Sequence, residues 1–106
     1  MNKYTELSDF EINKKVAEKL GLAYEVTRYG VVTRMSNKEQ WREFDPCNNP
    51  TDAMPIINEY GISLIYQDRQ FQFATSDGNI ECCIANPLKA AMIIFMCIKD
   101  AENEKV

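Results

Sequence analysis

The segment after Asn86-Pro87 is apolar almost all the way round: Leu88, Ala90, Ala91, Met92, Ile93, Ile94, Phe95, Met96, Cys97 and Ile98, with Lys89 the single charge among them. Asn at a cap and Pro at the first helical position mark a helix start. A helix with no polar face has to be covered on more than one side. A chain of 106 residues is near the commonest domain size and has material for one core, not two. Two arrangements then remain: a sheet on one side of this helix with other helices on the opposite side, or self-association through residues 88–98. The uninterrupted apolar run covers residues 90–98, well short of the roughly 20 residues needed to cross a bilayer.

The remaining composition is that of an ordinary globular protein, 45% hydrophobic and 26% charged. It predicts one domain over residues 1–106, with the charged residues from Asp100 onward as a frayed tail. A formal charge of -4, from 12 basic and 16 acidic residues, argues against sequence-independent nucleic-acid binding, which needs clustered Lys and Arg. Met1-Asn2-Lys3-Tyr4-Thr5-Glu6 has no apolar run behind it and does not read as a secretory signal, so the expected location is the cytoplasm, with no membrane contact. Cys47, Cys82, Cys83 and Cys97 fit no zinc spacing and the chain has no histidine; structural thiols, no metal and no cofactor are the expectation.

Ser8-Asp9-Phe10-Glu11 is a capping box, with Leu7 and Ile12 at the flanking staple positions. Ile12, Val16, Ala17 and Leu20 follow at helical spacing and Gly21 supplies the stop, while Asn13, Lys14, Lys15, Glu18 and Lys19 take the wet face. Residues 22–29 and 31–33, hinged at Gly30, read as a hairpin, residues 35–40 as a polar loop. Residues 62–66, 70–74 and 80–84 read as an antiparallel meander joined by short polar turns. The predicted class is α+β: an N-terminal helix, an antiparallel sheet of about four to five short strands, a short middle helix and a buried C-terminal helix.

The candidate site is Asp45-Pro46-Cys47-Asn48-Asn49-Pro50-Thr51-Asp52, with Trp41 and Arg42 just upstream. Part of it recurs: Asn49-Pro50-x-x-Ala53-x-x-Ile56-Ile57 returns as Asn86-Pro87-x-x-Ala90-x-x-Ile93-Ile94. Both copies read as capped helix starts, though Pro55, past the first turn, would shift the first start to Thr51 or Asp52. Unpaired N–H groups at two such starts can attract an anion. Trp41 beside Arg42 can stack a planar group, and Asn48 with Asn49 offers amides to a nucleotide-like ligand. Cys47 before a helix N-terminus, or the pair Asp45 and Asp52, can be written as a small hydrolase, but the usual base is absent and no catalytic residue is assigned.

Four blocks resemble the NinX-type accessory proteins of lambdoid bacteriophages: Leu7-Ser8-Asp9-Phe10-Glu11-Ile12-Asn13-Lys14, the stretch 44–57, Asp77-Gly78-Asn79-Ile80, and Asn86-Pro87-Leu88-Lys89-Ala90-Ala91-Met92-Ile93. The resemblance implies tryptophan at position 54, where this chain has Met54. It implies a phage accessory protein in the host cytoplasm and carries no assigned activity. The expected function is non-enzymatic: counter-defence by sequestering a small anionic, nucleotide-type signal. The alternatives are a module that docks on a host protein and the small hydrolase above.

Overall fold

The computed structural model describes residues 3–104. Their order is α1 (Asp9–Leu20), β1 (Ala23–Thr27), β2 (Gly30–Arg34), β3 (Arg42–Glu43), α2 (Pro50–Tyr60), β4 (Ile62–Gln67), β5 (Gln70–Ser76), β6 (Ile80–Cys82) and α3 (Pro87–Glu104). The class is α+β as the sequence indicates, but the strands form two separate three-stranded antiparallel sheets, β1-β2-β3 and β4-β5-β6. Six strands replace the four to five expected in a single sheet. The partition follows from α2, which interrupts the chain between β3 and β4.

α1 begins as its residues dictate. The Ser8 hydroxyl accepts from the Glu11 N–H at 3.1 Å and the Glu11 carboxylate accepts from the Ser8 N–H at 3.2 Å. Gly21 ends the helix at φ 74°, a left-handed conformation that a side chain disfavours. Its buried face holds Ile12, Val16 and Ala17, and also Asn13, which helical patterning places on the wet face. That assignment is corrected by the long-range partners of Asn13, described below.

α2 starts at Pro50, capped by Asn49, whose side chain accepts from the Thr51 N–H at 3.0 Å. The shift to Thr51 or Asp52 does not occur. Pro55 sits inside the helix on an exposed position and is tolerated there. In the second meander, β4 and β5 turn through Asp68 and Arg69, both at positive φ (53° and 68°), between the paired residues Gln67 and Gln70. Such a turn matches the twist of a hairpin but favours Asn and Gly at these positions.

α3 packs against α1, α2 and all three strands of the second sheet. Ala90, Ala91, Met92, Ile93, Ile94, Phe95 and Met96 are each no more than 2% exposed, so the helix is covered on every side by its own chain. Removing Met92, Ile93, Ile94 and Phe95 from water contributes roughly 1.5–3 kcal/mol for each side chain. Only Leu88, Lys89, Cys97 and Ile98 keep partial exposure in residues 88–98, so self-association through this helix would have to use its ends. The helix also runs past Asp100, where a frayed tail is expected. Asp100 is held by the Tyr4 hydroxyl at 2.6 Å and by Lys3 at 3.6 Å. Residues 105 and 106 lie outside the described part. No described helix is long and apolar enough to cross a membrane.

Candidate functional site

Phe44 is buried, and its N–H donates to the Val31 carbonyl at 2.9 Å, extending the pairing of β3 by one step. Asp45-Pro46-Cys47-Asn48 then makes a tight turn, closed by the Asn48 and Asn49 N–H groups on the Asp45 carbonyl at 3.0 and 2.8 Å. This turn has no echo elsewhere in the sequence, and its surroundings explain it. It is where the starts of all three helices are tied together.

Each tie is a named bond. From α1, the Asn13 amide donates to Asp45 Oδ1 at 2.8 Å while its oxygen accepts from the Cys47 N–H at 3.1 Å. From α2, Asp52 Oδ2 accepts from the Asp45 N–H at 2.9 Å. From α3, Asn86 Nδ2 donates to the Cys47 carbonyl at 2.7 Å and to Asn48 Oδ1 at 3.1 Å. Asn48 Nδ2 in turn donates to Asp9 Oδ2 at 3.0 Å and Asp45 Oδ1 at 3.1 Å. Lys89 completes the cluster with an ion pair to Asp9 at 3.0 Å. Asn13 is buried, Asn86 half-buried and Asn48 exposed, and side-chain amides satisfied at both ends in this way fix the relative positions of the elements that carry them.

The electrostatics follow. The Asn48 hydrogen bond, and after it Lys89, hold the Asp9 carboxyl below its usual range against the opposing effect of burial. Cys47 is fully buried, and burial, followed by the nearby Asp9 and Asp45 charges, pushes its thiol up to about 12. Burial and these charges thus disfavour the thiolate expected ahead of a helix N-terminus. Asp45 and Asp52, the other pair in the hydrolase reading, each carry structural hydrogen bonds.

Two clefts flank Phe44. The smaller, of about 330 Å³, has the turn as its floor and includes Asp9, Asn13, Asp45 and Asn48, with Arg28 and Tyr29 of the β1–β2 hairpin at its edge. The larger, of about 530 Å³, opens between the β2–β3 ribbon and α2. Leu20, Leu22, Met35, Phe44, Pro55, Ile56 and Tyr60 give it an apolar lining; Thr33, Arg34, Glu39, Arg42, Thr51, Asp52 and Glu59 are its polar residues.

The pairing register places Arg42 on the side of this larger cleft. Arg42 is opposite Thr33, which is buried, and directly opposed residues share a face of the sheet. Trp41, one position away, belongs to the other face and stacks with the Arg34 guanidinium at 4.4 Å. Arg34 also borders the cleft, and its Nε is buried without a hydrogen-bond partner among the described residues. Glu39 accepts from the Met35 N–H at 3.2 Å and Asp52 from Asp45, whereas the side chains of Arg42 and Glu59 make no hydrogen bond or ion pair among the described residues.

The eight residues singled out from sequence are thus divided. Arg42, Thr51 and Asp52 line the larger cleft, Asp45 and Asn48 the smaller. Cys47 lies between the helices, Asn49 serves as the α2 cap, and Trp41 partners Arg34 rather than Arg42. Asn13, Asn86 and Lys89 are members of the polar junction that sequence reasoning did not place there. Glu59 was also missed, although Thr51, Asp52, Pro55, Ile56, Glu59 and Tyr60 form one stripe of α2 at helical spacing, a signal readable from the sequence.

Comparison with known proteins yields a single kind of relationship. The family model described as "Bacteriophage P22, NinX" matches residues 3–99. No curated protein and no solved structure matches the chain. Since the family model spans nearly the whole chain, taking in all of α1, α2 and both sheets and most of α3, this protein belongs to the NinX family of bacteriophage proteins.

Proposed function

We propose that this phage accessory protein is a non-enzymatic binding protein whose ligand, small, anionic and nucleotide-like, occupies the cleft between the β2–β3 ribbon and α2. The observation that carries this reading is Arg42: a guanidinium on the cleft-facing side of β3, with no carboxylate partner among the described residues, beside an apolar lining. An Arg so placed offers a planar fork of donors that suits a phosphate oxygen pair. The volume lies in the range of ligand sites, roughly 300–1,000 Å³, which an anion with a nucleobase fills better than a bare ion. Thr51 and Asp52, at the start of α2, add a hydroxyl and an acceptor on the opposite wall.

The absence of an accessible nucleophile at Cys47 favours holding a ligand over converting it. Within a phage-infected cell, such binding would withdraw a nucleotide-type signal from the host, a counter-defence role in the host cytoplasm. Isothermal calorimetry and thermal-shift measurements against cyclic and linear nucleotides test the reading. A rise in melting temperature that disappears in Arg42→Gln is expected. No response across the panel, with and without magnesium, rejects it.

A further inference from the structure

Among the described residues, two opposite charges of the larger cleft are left without partners, Arg42 on β3 and Glu59 on the last turn of α2, whereas the other arginine of the lining, Arg34, donates to Asn37 at 3.4 Å and stacks on Trp41. They also do not pair with each other, although both line the same concavity, because they belong to different walls. The other acidic residues of the cleft differ in this respect, since Glu39 and Asp52 accept from the Met35 and Asp45 backbones. A ligand that bridges the walls therefore meets a cation at one end and an acceptor-only carboxylate at the other, with Phe44, Ile56 and Tyr60 among the apolar residues available between them.

We infer that the cleft selects a guanine nucleotide, its phosphate on Arg42 and the N1–H and N2–H donors of its base on the Glu59 carboxylate. The inference rests on the cleft being the ligand site and adds what that site discriminates. An ionised carboxylate accepts and never donates, so it pairs best with an edge that presents two adjacent donors. Guanine has such an edge; hypoxanthine lacks the exocyclic amino group, and adenine presents an acceptor beside its amino group. A site that hydrogen-bonds a group rejects an analogue lacking it more strongly than an apolar pocket rejects a change in size. An amino acid carries the same two terminal charges but is too small to fill about 530 Å³.

Calorimetric titration of the intact chain with GMP, IMP, AMP and guanosine tests this. GMP should bind at least about tenfold more tightly than IMP and AMP, the effect of charge-assisted hydrogen bonds gained or lost. Glu59→Ala should bring GMP down to the affinity of IMP and AMP, and Arg42→Gln should erase the preference of GMP over guanosine. Both residues are exposed, so the variants keep the fold, which circular dichroism verifies. If GMP, IMP and AMP bind alike, or if Glu59→Ala retains the preference, the guanine assignment is overturned while the cleft remains the ligand site. If Arg42→Gln binds every nucleotide as the parent does, or none of these nucleotides binds the parent at all, the cleft reading falls and the guanine assignment with it.

Discussion

The two Asn-Pro starts carry the same residues at the same spacing and do the same local work. Asn49 Oδ1 accepts from the Thr51 N–H at 3.0 Å, Asn86 Oδ1 from the Leu88 N–H at 3.0 Å, and the two alanines that follow are both fully buried. They differ in what the rest of the amide does. Asn49 is exposed and acts as a cap, whereas the Asn86 NH₂ also binds the Cys47 carbonyl and Asn48. One motif is a helix start; the other is a helix start that also fastens a turn 39 residues away in sequence. Capping is a property of the local chain, and fastening depends on what the fold brings within reach.

Substitutions can break or sharpen this contrast, and their expected effects fall in a definite order. Asn13→Ala should be the most damaging, by about 2–4 kcal/mol in urea denaturation, because it removes a buried donor and acceptor and leaves the Cys47 N–H unpaired. Asn86→Ala should follow at about 2–3 kcal/mol, combining a lost cap of about 1 kcal/mol with the lost ties to the turn. Asn49→Ala should cost only the cap, about 1 kcal/mol. Equal losses at Asn49 and Asn86 would show that the fastening bonds add nothing and that the two starts are equivalent.

The smallest expected effect concerns pH. The Asp9 carboxyl is held below its reference value of 3.8 in the folded chain, so its contribution is fully present above that value. It is lost as pH falls through the folded-state pKa, when protonation weakens the bonds from Asn48 and Lys89. Asp9 is partly exposed, with 43% of its side chain open, so screening keeps the contribution small. Comparing the parent with Asp9→Asn in denaturant melts, the stability gap should stay constant at neutral pH and shrink at acid pH. A gap that widens on acidification contradicts the assignment.

How far the sequence reveals the fold depends on the range of the interaction involved. The Ser8–Glu11 capping box, the Gly21 stop and the Asn49 and Asn86 caps are local and readable directly. α3 is readable because a run without polar positions leaves little choice. Asn13 is misplaced on the wet face because its reason for burial, Asp45 and Cys47, lies more than thirty residues further along the chain. The division into two sheets was similarly hidden, since β3 has only two residues and pairs solely with β2. Pairing Trp41 with Arg42 neglects strand alternation, which sends neighbours to opposite faces and gives Trp41 to Arg34. At the candidate site, the residues from Trp41 to Asp52 were found as a group, but which cleft each one faces needed the register of β2 with β3.

The position of α3 in the order of the elements bears on how the chain matures. It follows every other helix and strand, yet it touches α1, α2 and each strand of the second sheet. During synthesis, those surfaces must wait for their common partner to leave the ribosome, with their apolar faces open in the meantime. Folding is therefore expected late and nearly all at once. A nascent chain halted before Asn86 has no core to close around and is a natural client for chaperones or proteases.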